Sequence, residues 1–432
     1  MPAESGMCSL REQKPLTMDN NPLSVSIARH PVFDDKRRLW GYELFCVGQT
    51  ASPRSGNTEE TNVAISVESS AYVCLQQVTE SGRKIIVDFT EKNILENLPY
   101  ALPPLLAAVK VSEHVCRKPS VMDVLRALKA DGYLIAVEGF SGEPNYAPLY
   151  QLADVIGMDV SKMRKEDLDT AVAPAAEYKA MLLALLVQSQ TQFKLCQESG
   201  FHLFHGPFFK SPDQITIRKL SSNEALRFKL LQMMEEEEPN VALFAKTLKA
   251  DATISLRLLA YLNSAAFHLT QKVKSIQQAI ALLGWRNAKN WLRVILMADM
   301  SQNKAAHELV LLSAQRGMFL ELVARDHDFW GFDPESMHLL GIFSLLDALL
   351  SVPMTEVVTN LPLDQKMKEA LCREPNNEYL PLLRLAQCLE EARWSDSEGM
   401  IRQLNLDGEK VRTAFKTSVT WAIELEVNSA HP

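Results

Sequence analysis

Paired cysteines are missing from this sequence. Its seven cysteines (Cys8, Cys46, Cys74, Cys116, Cys196, Cys372 and Cys388) are odd in number and scattered, with no C-x-x-C among them. That excludes a disulfide scaffold or a zinc ribbon and reads as reduced thiols. Long apolar runs are missing too. No stretch reaches the roughly 20 residues that a bilayer-spanning helix needs, and no signal-peptide pattern opens the chain. We expect a cytoplasmic protein with no membrane partner. Positive charge is nowhere concentrated. Lys and Arg number 45 against 53 Asp and Glu, for a net charge of −8. Nucleic acid is therefore not an expected ligand, because phosphate backbones need clustered cations. There is no P-loop, no nucleophile triad and no zinc cluster. We expect no cofactor and no bound metal.

What is present fits an ordinary folded protein. The chain has 432 residues, 47% apolar and 23% charged, enough for two or more domains with ample cores. Residues 1–23 are polar and aperiodic, and are expected to form a disordered lead. From 24 to 212, short β-rich runs alternate with helical stretches. The predicted strands are 24–33, 39–47, 84–90, 107–112, 133–140, 153–160, 179–187 and 201–206, with helices such as 120–130 and 165–176 between them. Eight strands with intervening helices predict an α/β fold of the (β/α)8 barrel type. Only DDKRR joins the first two runs, too short for a crossover, so that pair should be antiparallel. The polar stretch 48–61 is expected to be a loop.

From 213 to 432 the pattern turns helical, with its core over about 213–406. The organising stretch is 251–292. Asp251 is placed to cap a helix whose apolar face carries Ile254, Leu258, Leu262 and Ala265, and Asn263-Ser264 end that face. Ser275-Ile-Gln-Gln278 reads as a capping box, and Ile276, Ala279, Ile280 and Leu283 form the next buried stripe. Gly284 is a helix stop, followed by Trp285, Trp291 and Leu292. Phe228, Leu231 and Met234 give a packed helix that ends in an acidic run, 235–238, expected to be a solvated face. Beyond residue 353, three more amphipathic helices are predicted.

The segments L-L-x-Y-x-N-S-A-A-F and S-I-x-x-A-I-x-L-L-G, with the preceding Asp251 and the following tryptophan, resemble the signature of the HDOD domain. This is an all-helical relative of the HD phosphohydrolases. Ala28-Arg-His-Pro-Val-Phe33 with Gly41-Tyr-Glu-Leu-Phe45, and Gly200-Phe-x-x-Phe-His-Gly206-Pro-Phe-Phe-x-x-Pro212, resemble the entry and exit of an EAL domain. Together they resemble the YuxH-like EAL–HDOD two-domain signalling proteins. The resemblance implies an N-terminal barrel related to metal-dependent cyclic di-GMP phosphodiesterases, a C-terminal helical bundle, and a bacterial role in motility or attachment.

The resemblance also implies a damaged site. Glu43 matches the signature Glu, but Val47 stands where an Arg would grip the ligand. Asp88 replaces an Asn, Lys110 replaces a metal-binding Glu, and Glu138-Gly139 replace a tandem Asp pair. Gly157 falls at a Lys, Asp159 is retained, Leu185 and Gln188 fall at two glutamates, and His205 falls at a Gln. Lys110 would put an ammonium about where a cation would sit, neutralising Glu43, Asp88 and Glu138. In the helical half, the His-Asp pair of an HD enzyme falls at Ser344 and Leu345 in a helix spanning 341–347. His327-Asp328 spell the same pair but read as part of a polar interhelical loop, and His307 and His338 as ordinary helix residues. The expectation is a non-catalytic regulatory chain with protein partners, whose partner surface lies near 251–292. A catalytically inactive cyclic di-GMP sensor is the alternative. Val47 and the lost ligands argue against nucleotide binding, and an active phosphodiesterase would need ligands that are missing. Self-association stays open.

Overall fold

The computed structural model describes residues 26–47, 82–210, 222–236, 240–248, 276–300, 305–327, 331–361 and 363–430. The expected lead over 1–23, the loop 48–61, the helix opened by Asp251, the Asn263-Ser264 pair, Ser275 and Asp328 lie outside these residues.

Alternating side chains build the first half. Eight strands close into a barrel in chain order. They are β1 Ser26–Asp34, β2 Leu39–Val47, β3 Lys84–Asp88, β4 Ala107–Ser112, β5 Leu134–Glu138, β6 Val155–Asp159, β7 Met181–Leu185 and β8 Leu203–His205. β1 runs antiparallel to both β2 and β8, as the short first connection requires, and every other neighbouring pair is parallel. Val32, Ile86, Ala108, Ala136, Val155, Leu183, Leu185 and Leu203 form one buried cluster inside the barrel. Their odd neighbours, such as Ile85, Val87, Val109 and Ile135, join a second cluster with the outer helices. Among the described residues those helices are α1 Glu91–Leu95, α2 Pro119–Ala130, α3 Ala147–Leu152, α4 Lys165–Ala175 and α5 Gln190–Glu198.

The second half is helical. It comprises α6 Ser222–Met234, α7 Val241–Leu248, α8 Ile276–Leu283, α9 Trp285–Met300, α10 Ala306–Asp326, α11 Pro334–Phe343, α12 Leu346–Leu350, α13 Met354–Val357, α14 Gln365–Leu371, α15 Leu380–Glu390, α16 Trp394–Gln403 and α17 Gly408–Ala430. Gly284 separates α8 from α9 at φ +74°, the left-handed geometry that glycine adopts without strain. Asp333 and Asp364 cap α11 and α14 by accepting the N–H groups of Ser336 and Met367 at 2.8 Å each. α10 and α11 cross with their backbones touching. A Cβ on Gly341 would lie 2.5 Å from the Gly317 Cα, so neither position has room for a side chain.

Three expectations need correction. The acidic run after α6 is not all solvated face. Glu235 takes both forks of Arg293 at 2.8 and 2.7 Å, and Arg293 is fully buried. Fully desolvated guanidinium demands such a partner. α10 extends through Asp326, so His327 is its buried end rather than part of a polar loop. Its Nδ1 bonds the Val323 carbonyl at 2.9 Å and its Nε2 accepts the Asp407 N–H at 3.1 Å. Finally, 341–347 is not one helix. Ser344 ends α11 and Leu345 precedes α12. His338 sits inside α11, buried, with its Nδ1 2.9 Å from Glu321.

The Arg293 pair yields a test. Glu235→Ala should lower stability by about 3 kcal/mol, because it removes the bidentate partner of a buried guanidinium and leaves it, among the described residues, only Glu335 at 3.6 Å and the Asn290 amide. Exposed Glu236→Ala should stay within about 0.5 kcal/mol. Denaturant unfolding of both variants checks this, and equal effects would show that Glu235 is solvated after all.

Candidate functional site at the barrel mouth

Strand parity gathers the site. Along each parallel strand, the residue two places beyond an interior residue faces inward one layer higher. Ile86 leads to Asp88, Ala108 to Lys110, Ala136 to Glu138 and Leu203 to His205, all at the C-terminal rim where such barrels carry their sites. The ladder sets the same residues side by side, with Asp88 opposite Lys110 and His30 opposite Glu43.

Lys110 is the centre. It is only 8% exposed, and its Nζ lies 2.7 Å from Glu43 Oε1 and 2.5 Å from Glu138 Oε2. Burial alone would lower its pKa. The carboxylates of Glu43, Asp88 and Glu138 outweigh that and hold it above the usual lysine value. Burial pushes the Asp88 carboxyl upward, with Lys110 pulling against it and Glu138 and Glu43 adding to the rise. A divalent metal needs several free oxygen ligands in one place. Here an ammonium takes the inward lone pairs of two of the carboxylates, so the present side chains do not fit a metal in that position. Other positions expected in the site offer no further ligand to that place. Gly157 leaves no side chain on β6, and a Cβ there would already meet Leu185 Cδ1 at 3.1 Å. Gly139 follows Glu138 at φ +84°, a backbone that disfavours aspartate. Leu185 belongs to the apolar interior. Asp159 is exposed and spends its carboxylate on the Ser161 N–H at 2.8 Å, outside the Lys110 cluster. Gln188 is exposed and bonds the Leu186 carbonyl at 3.1 Å. Val47 ends β2, and Trp291 lies within α9.

Beside the ion cluster lies a pair of histidines. His30, which sequence reasoning passed over, faces inward from β1. Its Nε2 donates to the Glu390 carbonyl at 2.8 Å, and its Nδ1 lies 3.1 Å from His205 Nε2. With His30 neutral and donating through Nε2, its Nδ1 must accept, so His205 donates through Nε2. His205 Nδ1 is then a buried acceptor without a partner among the described residues. The same His205 Nε2 is 3.7 Å from Glu43 Oε2. Burial, with the charge of Lys110 and that of Lys210, holds His205 at about 4. Burial, His205 and Lys210 hold His30 at about 3, against the pull of Glu43 and the Glu390 carbonyl.

Glu390 belongs to α15 of the helical half, so the histidine pair reaches across the two halves. Its carboxylate holds the buried Arg316 of α10 at 2.8 and 2.6 Å. Arg316 in turn donates to the Ser344 hydroxyl at 2.7 Å. Nearby, Lys210 lies 3.4 Å from Glu391, and the Tyr42 hydroxyl donates to buried Glu308 at 2.7 Å. A cavity of about 300 Å³ opens at this junction, lined by His30, His205, Gln188 and Lys210 from the barrel and by Leu312 and Arg393 from the bundle. Only the inward parity of Ala28, His30 and Val32 could have flagged His30 in advance. Nothing local marks Arg316 or Glu390.

The family profile of the HDOD domain matches residues 220–365. Along nearly its whole length the chain is similar to YuxH of Bacillus subtilis, a protein described as uncharacterized. The identity is 29% over 413 residues, covering 93% of this chain and 99% of YuxH. It is also similar to the cyclic di-GMP phosphodiesterase CdgJ of Vibrio cholerae, 26% identical over 423 residues and covering 97% of each chain. Among solved structures, the PaMucR phosphodiesterase in complex with c-di-GMP aligns at 16% identity with a TM-score of 0.35. It covers 42% of this chain and 94% of that one, a likeness too slight to argue from.

Two measurements test the site's electrostatics. Lys110→Met leaves Glu43, 2% exposed, buried beside two other acids with no cation. We expect a loss of about 3–5 kcal/mol at pH 7, shrinking in acid as the carboxylates protonate. Lys194→Ala on the exposed face of α5 should change stability by less than about 0.5 kcal/mol. An unaltered melting temperature for Lys110→Met would refute the cluster. The histidines give a pH dependence with a definite sign. Both fold with lowered pKa values, so below about pH 6.5 the unfolded chain binds more protons and stability falls with pH. Their contribution is complete above that value and is lost progressively toward pH 4. Between pH 7 and 5 the parent chain should lose roughly 2 kcal/mol or more beyond what a His30→Gln/His205→Gln chain loses. Parallel pH profiles would mean that these histidines fold already charged.

Proposed function

We propose that this chain, an EAL-type barrel followed by an HDOD domain in the YuxH-like manner, is a non-catalytic regulatory protein of a cyclic di-GMP-linked pathway. In this reading the barrel, taken over about 24–212, is a scaffold or receiver, and the helical part from 213 onward binds a protein partner. The pathway rests on the likeness to CdgJ, whose name is that of a cyclic di-GMP phosphodiesterase. The loss of catalysis rests on one observation, the Lys110 ammonium seated among Glu43, Asp88 and Glu138. Metal-assisted phosphodiester hydrolysis needs a cation that activates water and polarises the phosphate. A lysine in that place neutralises the acids without offering a water-binding coordination site. We therefore read Val47, Gly139, Gly157, Leu185, Gln188 and His205 as the remainder of a vestigial pocket, and Ser344-Leu345 as the vestige of an HD pair.

For the partner surface we favour the region around α8. Leu282 on α8 and Leu243 on α7 are about half exposed, at 53% and 52%, on helices that pack together. Lone exposed leucines need no explanation, but two on adjoining helices suit a protein contact. The second reading, a sensor that binds the nucleotide without cleaving it, is favoured by the junction cavity. It offers a bare imidazole acceptor and side chains from both domains, so a ligand there would alter their docking.

The deciding experiment is calorimetric titration of the full chain with cyclic di-GMP, in Mg²⁺ and then Mn²⁺, with product analysis of the same samples. The scaffold reading expects neither heat nor product. Heat without product would transfer the function to the sensor reading. Linear dinucleotide would overturn both.

A further inference from the structure

A second cavity, of about 190 Å³, lies wholly within the helical half. Ser344 at the end of α11, Ala370 and Leu371 of α14, Arg373 just beyond it, and Leu380, Leu383, Arg384 and Gln387 of α15 line it. The α15 residues fall at i, i+3, i+4 and i+7, one face of that helix. The lining is chemically one-sided. It contains two guanidinium groups and no carboxylate. Arg373 and Arg384 are both exposed, and neither makes an ion pair or a side-chain hydrogen bond with any described residue. By contrast, Arg293, Arg316, Arg393 and Arg412 are each matched by an acid.

The back wall is neutral. Ser344 accepts from Arg316 at 2.7 Å and spends its own proton on the Gly341 carbonyl at 2.6 Å. Arg316 is balanced by Glu390. Asp347 is half-buried, with one oxygen on the Ala348 N–H at 2.8 Å. It feels both Arg373 and Arg316 but does not reach the cavity. The Gln387 amide is able to donate as well. Leu371, Leu380 and Leu383 supply an apolar side.

We propose that this cavity binds a phosphoryl group, carried either by inorganic phosphate or by a small phosphorylated organic molecule. Guanidinium forks match the tetrahedral oxygens of phosphate with paired hydrogen bonds, and their charge survives at any physiological pH. Two unpaired forks on one concave face, beside an apolar wall, are what such a group requires. This site is independent of the barrel mouth and of whether that mouth binds a nucleotide.

The test is calorimetry on the full chain at constant ionic strength set with potassium chloride, using inorganic phosphate, phenyl phosphate and succinate. Saturable binding of phosphate or phenyl phosphate is expected, weakened at least tenfold in Arg373→Ala/Arg384→Ala. Arg402→Ala, which removes another exposed arginine outside the cavity, should bind like the parent chain. Arg384→Lys keeps the charge without the fork and should fall between. Because the two arginines are exposed and unpaired, the double variant should fold normally, which its unfolding curve would verify. Phenyl phosphate binding more tightly than phosphate would assign the site to a phosphorylated organic molecule. Equal affinity would assign it to free phosphate. Absence of saturable binding by both phosphoryl compounds, binding unchanged in the double variant, or succinate binding as tightly as phosphate would overturn the proposal.

Discussion

Charge taken out of water must be matched where it lies, and that constraint organises both ends of this molecule. An unpaired buried ion costs several kcal/mol, more than any single apolar contact returns. At the barrel mouth, parity along the strands forces Glu43, Asp88 and Glu138 to converge, and the fold cannot separate them without breaking the ladder. Lys110 resolves the conflict from inside the same ladder. A metal ion would do so only when bound, whereas a lysine does so in every molecule. The rim is thus held together by the chain's own charges.

The junction between the halves follows the same rule through uncharged groups. His30 and His205 are too deeply placed to carry charge at neutral pH, so they share a proton-defined hydrogen bond and pass one donor to the Glu390 carbonyl. Glu390 serves both sides at once. Its backbone faces the barrel and its carboxylate faces Arg316 within the bundle. Arg316 reaches that position because Gly317 lets α10 lie directly against Gly341 of α11. A side chain at either glycine would push the helices apart and carry Arg316 away from both Glu390 and Ser344.

Sequence reasoning found what repeats locally. The eight strands were legible as short β-rich runs between helical stretches, and their observed ends differ from the expected ones by a few residues. The antiparallel first pair followed from the length of one turn. The inward acids and Lys110 were legible through a resemblance, and parity then placed them on one rim. What escaped was long-range. Glu235 looked like surface because its partner Arg293 is 58 residues away. His30 finds Glu390 across 360 residues, and no local pattern announces such a bond. The helix over Trp394–Gln403 was passed over because its polar Ser-Asp-Ser-Glu-Gly stretch hides a short apolar face at Ile401. The break at Ser344 was missed because 341–347 is mostly apolar and carries neither glycine nor proline at the break itself.

The path from barrel to bundle has a physical consequence for any regulatory role. Glu138, Lys110, Glu43, His205, His30, Glu390, Arg316 and Ser344 form a succession of contacts, each between groups that are buried or half-buried. Adjacent groups in such a succession do not relax independently, because water cannot replace a lost partner at most of them. A change in protonation or occupancy at the histidines must be answered at the end of α15, either by moving the Glu390 carbonyl or by leaving it unpaired. The carboxylate of that residue then moves relative to Arg316, and the Ser344 hydroxyl with it. At Glu390 a main-chain acceptor toward the barrel is combined with a buried ion pair within the bundle. Among the described residues the halves also meet at the bond between buried Tyr42 and buried Glu308, at the Lys210–Glu391 pair and where α17 packs on β1, so the Glu390 route runs beside others.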